Sequence, residues 1–137
     1  MSWTAPRRPK TSLTIPSTIT WIGHTVLQGC SGLESVTMTN NDAYSLACGG
    51  KILVEKSSGA AKICLGGTTS VTIDSSIKII GGNCFRWCSK LTDITFHSGV
   101  TNIGYSICRD CTALQWIDFC GCTIKKQSDG TAAYLVT

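Results

Sequence analysis

One phrase, repeated three times, constrains this chain more than any other property. Residues 13–38 (LTIPSTITWIGHTVLQGCSGLESVTM), 71–96 (VTIDSSIKIIGGNCFRWCSKLTDITF) and 94–119 (ITFHSGVTNIGYSICRDCTALQWIDF) align without gaps. Ile19, Ile77 and Val100 share a position, as do Ile22, Ile80 and Ile103; Gly23, Gly81 and Gly104; Cys30, Cys88 and Cys111; and Leu33, Leu91 and Leu114. The second copy begins 58 residues after the first (Leu33 to Leu91) and the third begins 23 after the second (Leu91 to Leu114). Units this short cannot bury their apolar positions alone, so successive copies must stack. The repetition predicts a solenoid whose matching apolar positions line the interior.

Within each copy the segment from Leu33 to Met38 places Leu33, Val36 and Met38 inward, and Leu91, Ile94, Phe96 and Leu114, Ile117, Phe119 repeat the pattern. β-branched and aromatic residues dominate these segments, which predicts short parallel strands on one face. A second extended piece runs through 19–22, 77–80 and 100–103, followed by a glycine expected to permit a sharp turn. The seven residues after it, GNCFRWC from Gly82 in the second copy, suit one short helical turn. The fold class expected is therefore mostly β: a short leucine-rich-repeat solenoid with parallel strands, short helical turns and two β-hairpins.

The first hairpin is read from the excursion 46–67, where the apolar arms Lys51 to Glu55 and Ala61 to Leu65 flank a Ser-Ser-Gly-Ala turn. The second spans 122–136 around Asp129-Gly130, a strong hairpin turn signal. It is expected to cover the open edge of the last repeat, because solenoids need atypical end units. The domain reading is a basic N-terminal arm over 1–12 and a single repeat domain over 13–137.

Only 15% of residues are charged, and the net charge of +4 is uneven. Arg7, Arg8 and Lys10 supply three cations from the first ten residues, leaving nine Lys or Arg against eight Asp or Glu elsewhere. A nearly neutral repeat body argues against a phosphate-tracking groove, so no nucleic-acid partner is expected. The arm is an assembly-tether candidate, with a flexible Pro-rich lead-in as its bland reading. The sequence contains neither a secretory signal pattern nor a run of 18 apolar residues, so no membrane insertion is expected. The expectation is synthesis in the cytoplasm, with display on a surface or incorporation into a particle left open.

Nine cysteines make an odd count. Cys30, Cys88 and Cys111 occupy one repeat column and Cys84 and Cys108 fall in adjoining apolar columns, so these five are read as reduced thiols buried in the stack. Disulfides along one column are disfavoured because its side chains point the same way. No cofactor is expected. Zinc is a weak alternative, confined to Cys120 and Cys122, which the repeat does not explain.

The pattern best seen in IPSTITWIGHTVLQGCSGLESVTM resembles the BspA-like leucine-rich repeats of bacterial surface proteins, parasitic protists and some viruses. The likeness spans about Leu13 to Phe119. The family's common Ala-Phe pair before the cysteine is here Val26-Leu27, Cys84-Phe85 and Ile107-Cys108, and the Pro of the first copy becomes Asp74 and Ser98. The resemblance implies protein binding and adhesion, with no catalytic residues to carry over.

Binding candidates lie between the inward positions. Outward columns contain Ser35, Asp93 and Trp116, then Thr37, Thr95 and Asp118. Trp116 is the prime anchor because aromatic residues dominate interface hot spots; its bland reading is a ring lying flat over neighbouring strands. Arg86, Trp87, Trp21 and Tyr105 add aromatic and cationic surface on the turn side, with packing against the excursion as the alternative. Asp93 and Asp118 would sit roughly 8 Å apart, given the strand spacing, but a flat face lacks the enclosure that carboxylate catalysis needs. The reading is a non-enzymatic module that presents its repeat surface to a protein or cell-surface partner. The alternative is a structural or decoration subunit of a larger assembly, such as a virus particle or a homo-oligomer, tethered by Arg7, Arg8 and Lys10.

Overall fold

The computed structural model describes residues 11–23 and 30–120, which form ten short strands in three sheets. β1 (Ser12–Ile15) pairs in parallel with β2 (Ser35–Met38), so that Leu13 lies beside Val36 and Ile15 beside Met38. β6 (Ser70–Thr72), β8 (Asp93–Thr95) and β10 (Trp116–Asp118) form a second parallel sheet, with Val71, Ile94 and Ile117 in register. That register is the 23-residue period made physical. β-branched residues at alternate positions bury one face: Val71 and Ile94 are each 1% exposed.

The third sheet has five strands. β3 (Tyr44–Ala47), β4 (Ile52–Glu55) and β5 (Ala60–Cys64) run antiparallel. β5 then pairs in parallel with β7 (Ile79–Ile80), and β7 with β9 (Asn102–Ile103), so Ala61, Ile80 and Ile103 share one row. The stretch that interrupts the repeat thus ends in a strand that takes the place of the repeat's second extended piece.

β4 and β5 are buried on both faces, as a continuous apolar run implies. Ile52, Val54, Ala61 and Cys64 pack with the second and third coils around Phe85, Leu91, Ile94 and Phe96. Leu53, Ile63 and Leu65 face the other way and pack with Ile15, Ile22, Leu33 and Val36 of the first coil. The excursion is a wall shared by two hydrophobic clusters. The first coil meets it closely at Gly66 and Gly67, where Gly67 N–H donates to Leu33 O at 2.8 Å. A Cβ on Gly67 would stand 2.7 Å from that oxygen, and one on Gly66 2.5 Å from Cys30 O.

The short helical turns expected from the sequence are absent among the described residues. From 81 to 88 the chain makes successive tight turns, with Cys84 N–H to Gly81 O, Arg86 N–H to Asn83 O and Cys88 N–H to Phe85 O. Left-handed backbone at Asn83 (φ 63°) and Trp87 (φ 67°), repeated at Ser106 (58°) and Asp110 (63°), stops any helix from propagating. Alternate N–H groups instead reach the next coil: Asn83, Phe85 and Trp87 donate to Tyr105, Ile107 and Arg109 carbonyls at 3.3, 2.9 and 3.2 Å.

The glycine of the repeat acts differently from the expectation that it permits a sharp turn. Neither Gly81 nor Gly104 has positive φ, and in these turns the left-handed positions are Asn83, Trp87, Ser106 and Asp110. Gly104 N–H donates to Ile80 O at 2.8 Å, and a Cβ there would collide with the Gly82 backbone. The position is small because two coils approach there.

Cys84, Cys88 and Cys108 are 1%, 0% and 2% exposed, whereas Cys30 and Cys111 are half-buried. The column cysteines use their thiols: Cys88 Sγ donates to Cys64 O at 3.5 Å and Cys111 Sγ to Phe85 O at 2.9 Å. A small apolar side chain with a weak donor can fill the interior while serving a carbonyl of the preceding coil. The arm residues Arg7, Arg8 and Lys10 and the segment 122–136 lie outside the described residues.

Candidate functional site

The outward face of the β6–β8–β10 sheet is built by alternation: each residue between two buried ones must point to solvent. One column contains Ser70, Asp93 and Trp116, the next Thr72, Thr95 and Asp118. Ser35 and Thr37, which the repeat alignment puts in these columns, sit instead on the separate β1–β2 sheet, and β6, at the start of the second copy, takes their place beside β8.

Trp116 is 65% exposed and lies directly beside Asp93. The Asp93 carboxylate is fixed from both sides: Ser70 Oγ donates to Oδ2 at 2.8 Å and Thr92 Oγ1 to Oδ1 at 3.0 Å. Asp118 lies two residues along β10 on the same face, and its Oδ1 accepts the Cys120 N–H at 2.9 Å. The arrangement is an exposed indole flanked by two oriented carboxylates. It offers apolar area and acceptors to a partner, but the two carboxylates belong to different columns and face no common enclosed space.

The turn side brings together a second set. The Arg86 guanidinium carbon stands 4.1 Å above the Trp87 ring, and Arg86 Nε reaches Asp110 Oδ2 at 3.5 Å. Arg86 therefore bridges two coils while covering the half-buried Trp87, a contact that the left-handed backbone at Trp87 makes possible between adjacent residues. Tyr105 (65% exposed) sits on this turn side of the third coil. Trp21 (57% exposed) belongs to the first coil, and its ring lies over Gly23, where a Cβ would stand 2.7 Å from a ring carbon.

Sequence reasoning missed a concavity of about 310 Å³ lined by Met38, Asn40, Asn41, Tyr44, Lys56 and their neighbours. Asn41, Tyr44 and Lys56 among them are committed to holding the chain. Asn41 Nδ2 donates to Ile19 O at 2.9 Å, its Oδ1 accepts from Ala43 and Tyr44 N–H, and Lys56 Nζ donates to Asn41 O at 2.6 Å. The adjacent Asn40-Asn41 pair after β2 was the available signal, since Asn favours such local turns.

Cys120 is exposed at the end of β10, and Cys122, the other member of the zinc alternative, lies outside the described residues. Among the described residues no three His, Cys, Asp or Glu side chains are grouped to hold a metal ion, and no helix is long and apolar enough to cross a membrane.

The family model described as a BspA type leucine rich repeat region matches residues 9–48 and 54–131, in six copies. The second match includes β5, in keeping with that strand's place in the row of β7 and β9. Among solved structures, a leucine-rich cell surface protein from Faecalibacterium prausnitzii is 23% identical over 94% of this chain and 35% of its own, with a TM-score of 0.68. The pneumococcal vaccine antigen PcpA is 19% identical over 78% of this chain and 27% of its own, TM-score 0.64. A leucine-rich repeat protein from Eubacterium ventriosum is 20% identical over 85% and 37%, TM-score 0.57. The chain thus spans about a third of the length of these structures, and likeness at this identity concerns the fold. No curated protein sequence matches the chain.

Proposed function

Because the chain belongs to the BspA-type leucine-rich-repeat family, a group of repeat scaffolds for binding and adhesion that is generally non-enzymatic, we propose that it presents the outward face of β6, β8 and β10 to a protein or cell-surface partner. Trp116 is the anchor of that face, with Asp93 and Asp118 as acceptors beside it. The observation that carries this reading is the 65% exposure of an indole on a regular sheet whose neighbouring carboxylate is already oriented by two hydroxyls. A rigid aromatic next to a preorganised acceptor loses little entropy on binding. The Faecalibacterium neighbour is a cell surface protein, which supports a surface-binding role in the same direction.

The test is binding of the immobilised chain to a panel of purified extracellular proteins and to intact cells, comparing wild type, Trp116→Ala and Tyr105→Ala. Trp116→Ala is expected to lose tenfold or more in affinity, the ~1.4 kcal/mol or more of a hot-spot residue, with an unchanged melting temperature, while Tyr105→Ala binds as wild type. Equal binding by Trp116→Ala removes this face from the function.

A further inference from the structure

The third coil contains a cysteine pair that the repeat does not require. Positions 108 and 111 correspond to Phe85 and Cys88 in the second copy and to Leu27 and Cys30 in the first, so only the third places thiols at both. The two are the ends of one tight turn, in which Cys111 N–H donates to Cys108 O at 3.2 Å with Asp110 left-handed at φ 63°. Such a turn holds its first and fourth Cα within about 7 Å, and a disulfide needs a separation of about 4.4–6.8 Å. The objection to disulfides along one column does not apply, because these residues occupy adjoining columns of a single coil. The thiols therefore stand at the two ends of a single turn, with Cys111 Sγ donating to Phe85 O at 2.9 Å.

The two sulfurs are unequal. Cys108 is buried, whereas Cys111 is half-buried and can be reached. The neighbouring Cys108 thiol holds the Cys111 thiol below its ordinary range, opposed by burial and helped by the Cys88 backbone. The nearby Cys111 thiol, with burial, pushes Cys108 up. Cys64 and Cys88 are also neighbours, but there Cys88 Sγ donates to the Cys64 carbonyl, both residues are buried, and the Cys88 thiol is pushed up rather than down.

We propose that Cys108 and Cys111 form a thiol–disulfide exchange site on the third coil, reactive toward low-molecular-weight disulfides such as oxidised glutathione. The Cys111 thiolate attacks one sulfur of the incoming disulfide, forming a mixed disulfide and releasing one thiolate. Cys108 gives its proton to solvent and its sulfur attacks Cys111 Sγ, releasing the second thiolate. Two protein thiols and one small disulfide become one protein disulfide and two small thiols. Oxidation also removes the Cys111 Sγ–H that donates to Phe85 O, so the redox state of this turn acts on the contact between the second and third coils.

The reduced full-length chain is incubated anaerobically with oxidised glutathione at pH 8, its remaining thiols are alkylated, and its peptides are mapped by mass spectrometry. The expected first product lacks two hydrogens and links Cys108 to Cys111. In Cys108→Ala a glutathione adduct on Cys111 should persist at least tenfold longer than in wild type, and Cys111→Ala should leave Cys108 unmodified. A first disulfide that joins either residue to another cysteine, Cys120 included, overturns the proposal. So does alkylation of both Cys108 and Cys111 after other thiols have oxidised. The wild-type map decides the question even if a variant does not fold.

Discussion

The Tyr44 hydroxyl accepts a hydrogen bond from the backbone N–H of Ile22 at 2.9 Å, with both residues buried. This contact ties the first strand of the excursion to the second extended piece of the first coil, across 22 residues of sequence. Tyr44→Phe keeps the ring but leaves the Ile22 N–H buried and unpaired, which costs about 1–3 kcal/mol. Denaturant titration should show that loss, and hydrogen exchange should accelerate at Ile22. An Ile22 amide as protected as in wild type contradicts the assignment.

The glycines separate two kinds of strain. Gly67→Ala and Gly104→Ala would drive a methyl into the backbone of Leu33 and of Gly82, respectively. Neither neighbour is a flexible side chain that can swing aside, so each substitution should destabilise by about 1–3 kcal/mol through overpacking. Gly49→Ala meets nothing within 4 Å and suffers only from its φ of 71°, a left-handed cost of about 1–2 kcal/mol. Melting curves of the three variants, with a crystal structure of Gly104→Ala showing the third coil displaced from the second, check the distinction.

Much of this was legible in the residues. The Leu33, Leu91 and Leu114 column repeats with an apolar identity strong enough to predict strand, register and interior, and the outward place of Trp116 follows because its neighbours in the pattern are inward. What failed depends on partners distant in sequence. The Asn83, Phe85 and Trp87 amides bond to the next coil, so the local pattern that suited a helical turn could not reveal the competing acceptors. β3 was missed because four residues, Tyr44-Ser45-Leu46-Ala47, are too short a run to stand out, and its burial comes from contact with β4 and the first coil. The contact between Arg86 and Trp87 was not legible because it depends on the left-handed backbone at Trp87, which the residue types do not reveal.

Burial of thiols makes stability depend on alkaline pH. Burial pushes the Cys48 thiol from 9.0 up to about 11, while an unfolded chain would release that proton near the ordinary value. Between these values the unfolded state binds fewer protons than the folded state, so stability falls as pH rises through the window and is fully present below it. Cys84, Cys88 and Cys108 are raised in the same direction, whereas Cys111 is lowered. Melting temperature should therefore decline from pH 9 to 11, and Cys48→Ala should decline less steeply. A flat profile across that range contradicts the thiol burial.

The placement of the cysteine columns inside the stack is tested most directly by alkylating the native chain at neutral pH and following each cysteine by mass spectrometry. Cys84 and Cys88, at 1% and 0% exposure, should react roughly 100-fold or more slowly than in denaturant, because labelling must wait for the coil to open. Cys30 and Cys111, half-buried, should react earlier. Labelling of Cys84 and Cys88 in the native chain as fast as in the unfolded one would contradict an interior built from these columns.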